Sequence, residues 1–287
     1  MKKYMFFPLL TLAGGAGAFV LRLLQRLTGF EAATGLPIPG NLPAMALMVW
    51  FLAVAAVCFF VGRVLLPADR EEPLLFPASF SVASAGLLTL TVMGIFLLAV
   101  SGVLDLVSGL GDRVPVLTGG DVAVTYVYGF DPGHADLFSA NEHIIVGVLS
   151  LAMAVSLFPA AAACRRSGEW KPFQGSVLLV PVCCLVVRLV LTYRAESADP
   201  ALIGYYPEIL AVVFLTLAFY RLSSFAFGAG RTRRFALYTA MAAAFCLASL
   251  AGGTDLPRLT FYAGGALTLF GFLVQRTAVL SAPWDNL

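Results

Sequence analysis

Charge is what this sequence has least of. Of its 287 residues, 12% are Asp, Glu, Lys or Arg and 60% are hydrophobic, whereas a water-soluble domain carries about 25% charged residues. So little polar side chain cannot cover a water-facing globule, which excludes the soluble class. Histidine is nearly missing: His134 and His143 are the only two. A bis-histidine haem held between membrane spans is therefore excluded by counting. No lysine lies in any apolar segment, so a retinal Schiff base is excluded as well. No GxxxxGK[ST] phosphate loop is present. Serines have no partnering base and no apolar segment carries a carboxylate pair, so intramembrane hydrolysis lacks its parts and no enzymatic activity is expected. The five cysteines (Cys58, Cys164, Cys183, Cys184 and Cys246) fall within or at the ends of apolar segments. That placement argues against a disulfide framework, and Cys183 and Cys184, being adjacent, point to different helix faces and do not share a metal.

What the chain does have is length of apolar run. A transmembrane helix needs about 20 predominantly apolar residues. Eight segments qualify, near 5–27, 43–66, 78–104, 143–163, 173–193, 206–226, 235–252 and 258–280. These blocks are continuous rather than alternating, which excludes a β-barrel. The expected fold class is an all-α integral membrane protein of eight transmembrane helices. Twelve of the 18 Lys and Arg residues fall on one side if the N-terminus is cytoplasmic, as the positive-inside tendency requires. Both termini are then inside, the inner face is basic and the outer face acidic. The basic balance reports topology and implies no nucleic-acid partner. The start, "MKKYMFFPLLTLAGGAGA", also reads as a cleavable signal peptide ending in Ala16-Gly17-Ala18. Its hydrophobicity continues to Leu27, however, and a retained first span is the expectation.

Two stretches align when Arg22 is laid over Arg188. Residues 20–63 and 186–228 each give a helix end bearing Arg, a loop of about 15 residues, and a proline (Pro43, Pro207) opening the next helix. The expectation is two parallel four-helix repeats, 1–168 and 169–287, related by an axis along the membrane normal. The first contains a long outer loop, 109–142. Within that loop, "RVPVLTGGDVAVTYVYG" (113–129) places two β-rich runs around Thr118-Gly119-Gly120-Asp121, the pattern of a β-hairpin.

Arg22 and Arg188 each lie about five residues below the outer end of a span, near enough for the guanidinium to snorkel to the head groups or form a structural salt bridge. The functional alternative is a paired anion-binding or gating site on the axis between the halves. Arg26 shares a helix face with Arg22, whereas Arg194 does not share one with Arg188. Glu208 follows Pro207 at a helix start, where an acid suits the first turn, and it could pair with Arg188 or Arg194. The histidines lie in "FDPGHADLFSANEHIIVG" (130–147) beside Asp131, Asp136 and Glu142. Their spacing matches no tight metal motif, so they read as solvated residues beside a helix start, with no metal and no cofactor. Gly14, Gly15, Gly17, Gly264 and Gly265 lie in apolar helices, where small residues permit close helix approach.

The stretches "TGLPIPGNLPA" (34–44), "ADPALIGYYPEILAVVFLTLAFYRLSSFAFG" (198–228) and "FFPLLTLAGGAGAFVLR" (6–22) resemble a group of multi-pass membrane proteins from gut Firmicutes. The resemblance covers most of spans one, two, five and six. It implies a bacterial plasma-membrane location and, since no activity is known for that group, nothing about substrate. The functional expectation is a small-solute or ion transporter or channel in the lipid bilayer, with Arg22, Arg188, Glu208, Arg26 and Arg194 near its outer mouth. The alternative is a non-catalytic membrane subunit or scaffold, docking a protein partner or a second copy through its outer loop or basic inner loops. A lipid- or quinone-binding role is the third possibility.

Overall fold

The computed structural model describes residues 3–30, 38, 40–67, 76–81, 85–111, 140–165, 172–196, 206–252 and 255–281. Ten α-helices occur among them: α1 (Phe6–Thr28), α2 (Leu42–Leu65), α3 (Phe76–Phe80), α4 (Ala85–Gly111), α5 (Ala140–Ala163), α6 (Pro172–Val177), α7 (Val180–Glu196), α8 (Tyr206–Ser224), α9 (Thr232–Gly252) and α10 (Leu256–Ser281). Eight helical segments, α6 and α7 counting as one, are long and apolar enough to cross a membrane. The described residues contain no strand, and the hairpin expected over 113–129 lies outside them.

Local chemistry sets the helix ends. Asn41 caps α2 by accepting the Ala44 N–H at 3.1 Å, and its amide donates to the Thr28 carbonyl at 2.8 Å, which ties the end of α1 to the start of α2. Pro43, Pro207 and Pro257 each fall in the first turn of their helix, where a missing N–H costs nothing. Pro181 has the opposite effect. Lacking the N–H that would reach the Val177 carbonyl, it coincides with the break between α6 and α7, where Leu178 and Leu179 form a turn. Pro159 sits inside α5 without ending it. The third span begins later than the hydropathy suggests: Phe76–Phe80 forms a separate short helix, and α4 starts at Ala85. Gly228 has φ 71° after a 3-10 turn at Phe225–Phe227, a left-handed conformation that glycine adopts without steric penalty.

Two helices form the centre. α9 is lined with small buried residues, among them Ala240, Ala242, Ala244, Cys246 and Ala248, and packs against α1, α2, α8 and α10. α10 packs along α4 as well as α9. Following neighbours, α4, α5, α7, α8, α9 and α10 make a closed circuit, with α1 and α2 laid outside it against α9. This is not the packing of two like four-helix bundles. α1 runs along α9, whereas its counterpart in the alignment, α7, lies between α5 and α8. A division at residue 168 would also separate α5 from α7, which pack together. The small side chains of α9 explain the difference, because they let helices from both parts of the chain approach one element.

The end of the bundle at which α3 lies is closed by aromatic rings and one arginine. Phe76, Phe80, Phe225, Phe235 and Phe272 pack edge to face, with ring centroids 5.1 to 6.1 Å apart for the edge contacts. Arg276, which topology alone would count among inner-face cations, is buried there. Its Nε and Nη2 donate to Thr232 Oγ at 3.1 and 3.0 Å, and Nη1 donates to the Ser79 carbonyl at 3.1 Å.

Candidate functional site

Charged side chains collect at the other end, inside the helices rather than around them. On α1 the buried positions include Thr11, Gly14, Gly15, Ala18, Arg22 and Gln25, one stripe at three- and four-residue spacing. Arg22 therefore points inward. Its Nη1 donates to Gln25 Oε1 at 2.9 Å, and Gly252 at the end of α9 leaves room for it, since a β-carbon there would come within 3.2 Å of Arg22 Nε. Across from it, Glu208 in the first turn of α8 is buried and interacts electrostatically with Arg22 and Arg258. Arg258 Nη1 lies 3.4 Å from Glu208 Oε2, and Arg258 Nε lies 3.5 Å from Asp255 Oδ2.

The network continues through Arg188 on the buried face of α7. Its guanidinium lies over the Phe261 ring, 3.5 Å from the centroid. Nη1 donates to Ser150 Oγ on α5 at 3.1 Å and stands 4.0 Å from Asp105 Oδ2 on α4. Arg188 also interacts with Glu208, Arg258 and Tyr262. Asp105 in turn holds His143: Nδ1 and Oδ1 are 3.3 Å apart. Asp105 is 1% exposed and His143 7%.

Two backbone contacts fix this geometry. Gly102 and Gly147 meet at the α4–α5 crossing, where a β-carbon on either would lie 2.8 Å from the other's carbonyl oxygen. That approach is possible only between glycines. It brings Asp105, three residues after Gly102, opposite His143, four before Gly147. Ser101 Oγ donates to the Pro257 carbonyl at 2.8 Å and anchors α4 to the first turn of α10. Six helices thus contribute to one buried chain of interactions: Arg22, Glu208, Arg258, Arg188, Asp105, His143. Burying so many charges is costly unless each is paired and hydrogen-bonded; Glu208 lies between Arg22 and Arg258, and Asp105 between Arg188 and His143, whereas Arg258 and Arg188 are like charges that repel each other.

No family model, curated protein or solved structure matches this sequence. The site must speak through its own chemistry.

Of the residues expected from sequence, Arg22, Arg188 and Glu208 come together, with the Glu208–Arg258 pair between the two arginines in the chain of interactions. Neither arginine snorkels: they are 4% and 3% exposed. Arg26 and Arg194 stay outside. Arg26 is exposed and its Nη1 lies 3.5 Å from the Ala251 carbonyl; Arg194 is largely exposed and lies 3.7 Å from Glu142 at the rim. His143, read as a solvated residue beside a helix start, is instead buried within α5. The reason is Asp105, which supplies the partner that loop solvent would otherwise provide. Asp105, His143 and Arg258 are the participants sequence reasoning missed. The signal for Asp105 was present, because Thr91, Gly94, Leu98, Ser101, Gly102 and Asp105 all fall on one buried stripe of α4. Among the described residues, no group of three His, Cys, Asp or Glu could hold a metal ion. Asp131, His134 and Asp136 lie outside them.

A second feature is apolar. Between α1 and α2 a groove of about 860 Å³ opens sideways, walled by Gly17, Val20, Leu21, Met45, Val49 and Trp50 among others. Trp50 forms its floor, with Nε1 donating to the Gly14 carbonyl at 2.9 Å and its ring resting on Gly17.

Proposed function

We propose that this chain is a membrane transporter for a small charged solute, with the buried chain from Arg22 to His143 as its binding site. One observation carries the reading: ionisable side chains from six helices meet inside the bundle at one end. Intramembrane charges are expensive and characteristically mark substrate or ion pathways, whereas a scaffold needs none. The distribution of Lys and Arg supports an orientation in which the site faces outward and both termini are cytoplasmic. The resemblance to bacterial multi-pass proteins supports a plasma-membrane location. Arg188 is the residue best suited to meet solute. Held by Phe261 and Ser150, its guanidinium keeps its position whichever anion it faces, and arginine recognises carboxylates and phosphates by paired hydrogen bonds.

Uptake into proteoliposomes tests this directly. Labelled inorganic phosphate, acetate and succinate are offered outside, with protein-free liposomes as the reference. At least one is expected to enter faster through the protein, and Arg188→Gln is expected to reduce that uptake about tenfold or more while the protein still melts cooperatively. Equal uptake in the two kinds of liposome for all three anions would refute the reading for small anions.

The groove between α1 and α2 favours a second reading, a seat for a lipid or quinone tail. Its walls are apolar and it opens on the side that the exposed leucines, methionines and valines of both helices assign to lipid. Co-purifying lipid or quinone, identified by mass spectrometry and lost on Gly17→Leu, would support it; loss of nothing on that substitution would not.

A further inference from the structure

Asp105 stands between a histidine and an arginine, with one carboxylate oxygen toward each. Its Oδ1 faces His143 Nδ1 at 3.3 Å and its Oδ2 faces Arg188 Nη1 at 4.0 Å. The carboxylate is 1% exposed, and Oδ2 accepts no hydrogen bond. Arg188 is loosely bound by Asp105 yet firmly placed by Phe261 and Ser150. The remaining charged and titratable groups nearby are known for each neighbouring helix among the described residues. They are Glu142 on α5, Arg194 on α7, Glu208 and Tyr206 on α8, Arg258, Asp255 and Tyr262 on or beside α10, and Arg22 on α1.

We infer that Asp105 is a proton-operated selector that makes the solute of this transporter an anion and its coupling ion a proton. The inference rests on the transport reading of the same site. With His143 neutral, Asp105 is the counterion of Arg188. A hydronium ion gives its proton to the lone pair of the neutral imidazole and is left as water. No other covalent bond changes, and that water keeps the electron pair it shared with the proton. His143 is then a cation directly against Oδ1, and Asp105 becomes its counterion. Arg188 is left without that carboxylate but still in place, between Phe261, Ser150 and the already paired Glu208, and an incoming anion takes the vacated role. Loss of the proton returns Asp105 to Arg188 and expels the anion. By linkage the effect is reciprocal: bound anion favours the proton, and bound proton favours the anion by the same factor. Couplings between sites of this kind are typically about 5- to 150-fold.

Magnetic resonance of the full chain in lipid bilayers, with nitrogen-15 histidine and arginine, tests the selector without knowing the solute. His134 is replaced by Asn so that His143 is the one histidine observed, and Arg188 is assigned by the signal lost in Arg188→Lys. As pH falls, the Arg188 guanidinium signal is expected to move with the same midpoint as the conversion of His143 to its cation. In Asp105→Asn the His143 conversion should persist while the Arg188 signal stays still. In His143→Gln, a second variant should Asp105→Asn fail to fold, the Arg188 signal should stay still over the whole range. An Arg188 signal that ignores the charge of His143, or that still moves in either variant, overturns the proposal. A weakly buffered dye measurement separates it from the transport reading. Inorganic phosphate, acetate or succinate should draw in about one proton per anion bound, and none in His143→Gln. Anion binding without proton uptake overturns the selector while leaving transport standing. A coupled Arg188 response with no binding of any of the three supports the selector and counts against these anions as solutes.

Discussion

The Glu208–Arg258 pair gives the sharpest quantitative consequence of the buried network. The two side chains are 7% and 10% exposed and 3.4 Å apart. At an effective dielectric constant of about 20, unit charges at that distance attract by roughly 5 kcal/mol, most of which offsets desolvation of the two groups. Removing one partner of a buried pair strands the other and typically costs about 3–5 kcal/mol. Here each stranded group keeps some help, Glu208 from Arg22 and Arg258 from Asp255. Glu208→Gln and Arg258→Met are therefore each expected to lose about 2–3 kcal/mol. The double variant removes both charges at once, so neither member of the pair is left facing an uncompensated partner. Its loss should fall short of the sum by at least about 1.5 kcal/mol, within the range measured for coupled neighbours. Equilibrium unfolding by denaturing detergent, in mixed micelles, measures all four proteins of the cycle. Additivity to within about 0.5 kcal/mol, the behaviour of independent sites, would refute the claim that these charges form one buried unit.

Other consequences are local. Gly102→Ala must push α4 away from the Gly147 carbonyl and is expected to cost about 1–3 kcal/mol as overpacking, read as a lowered melting temperature; an unchanged melt would mean the crossing is looser than described. Trp50→Phe keeps the ring over Gly17 but deletes the 2.9 Å hydrogen bond to the Gly14 carbonyl, for a loss of about 1 kcal/mol by the same detergent unfolding. Thr232→Val removes the oxygen that accepts from both Nε and Nη2 of Arg276. Hydrogen bonds to charged groups contribute about 1.5–3 kcal/mol, so this near-isosteric change should be clearly destabilising. Of the five cysteines only Cys183 is exposed; a maleimide in mild detergent should label one thiol in the folded protein and five after denaturation, as counted by mass.

The helices were legible because their cause is one-dimensional. An apolar run of sufficient length must be helical in lipid, where every backbone polar group has to be satisfied within its own segment, and the expected 206–226 and 258–280 correspond closely to α8 and α10. The repeat was read from two stretches that do share a plan, helix end with arginine, loop, proline. Neighbours, however, are chosen by side-chain size along whole helices. The run of alanines in α9 has no equivalent in α4, so α9 became the hub and the halves packed differently.

The site was half legible for a related reason. Distance from the end of a span says how easily a long side chain could reach head groups, but the direction in which it points is decided by the residues three and four positions away. Arg22 follows Gly14, Gly15 and Ala18 on one stripe, and Arg188 follows Pro181, Cys184 and Leu185. Both stripes are small or inward-packed, so both arginines turn inside, and snorkelling loses. Once an arginine is inside, a partner becomes a physical requirement rather than an option, because an isolated charge there would cost several kcal/mol. Asking where that partner lies leads from Arg188 to Asp105, and asking what else a buried carboxylate would hold leads to His143. The paired groups come from helices 38 to 83 residues apart in sequence, and helical periodicity alone gives the facing side of each helix but not which helices face each other. That last step belongs to packing, and at this site it is set by two glycines whose backbones touch.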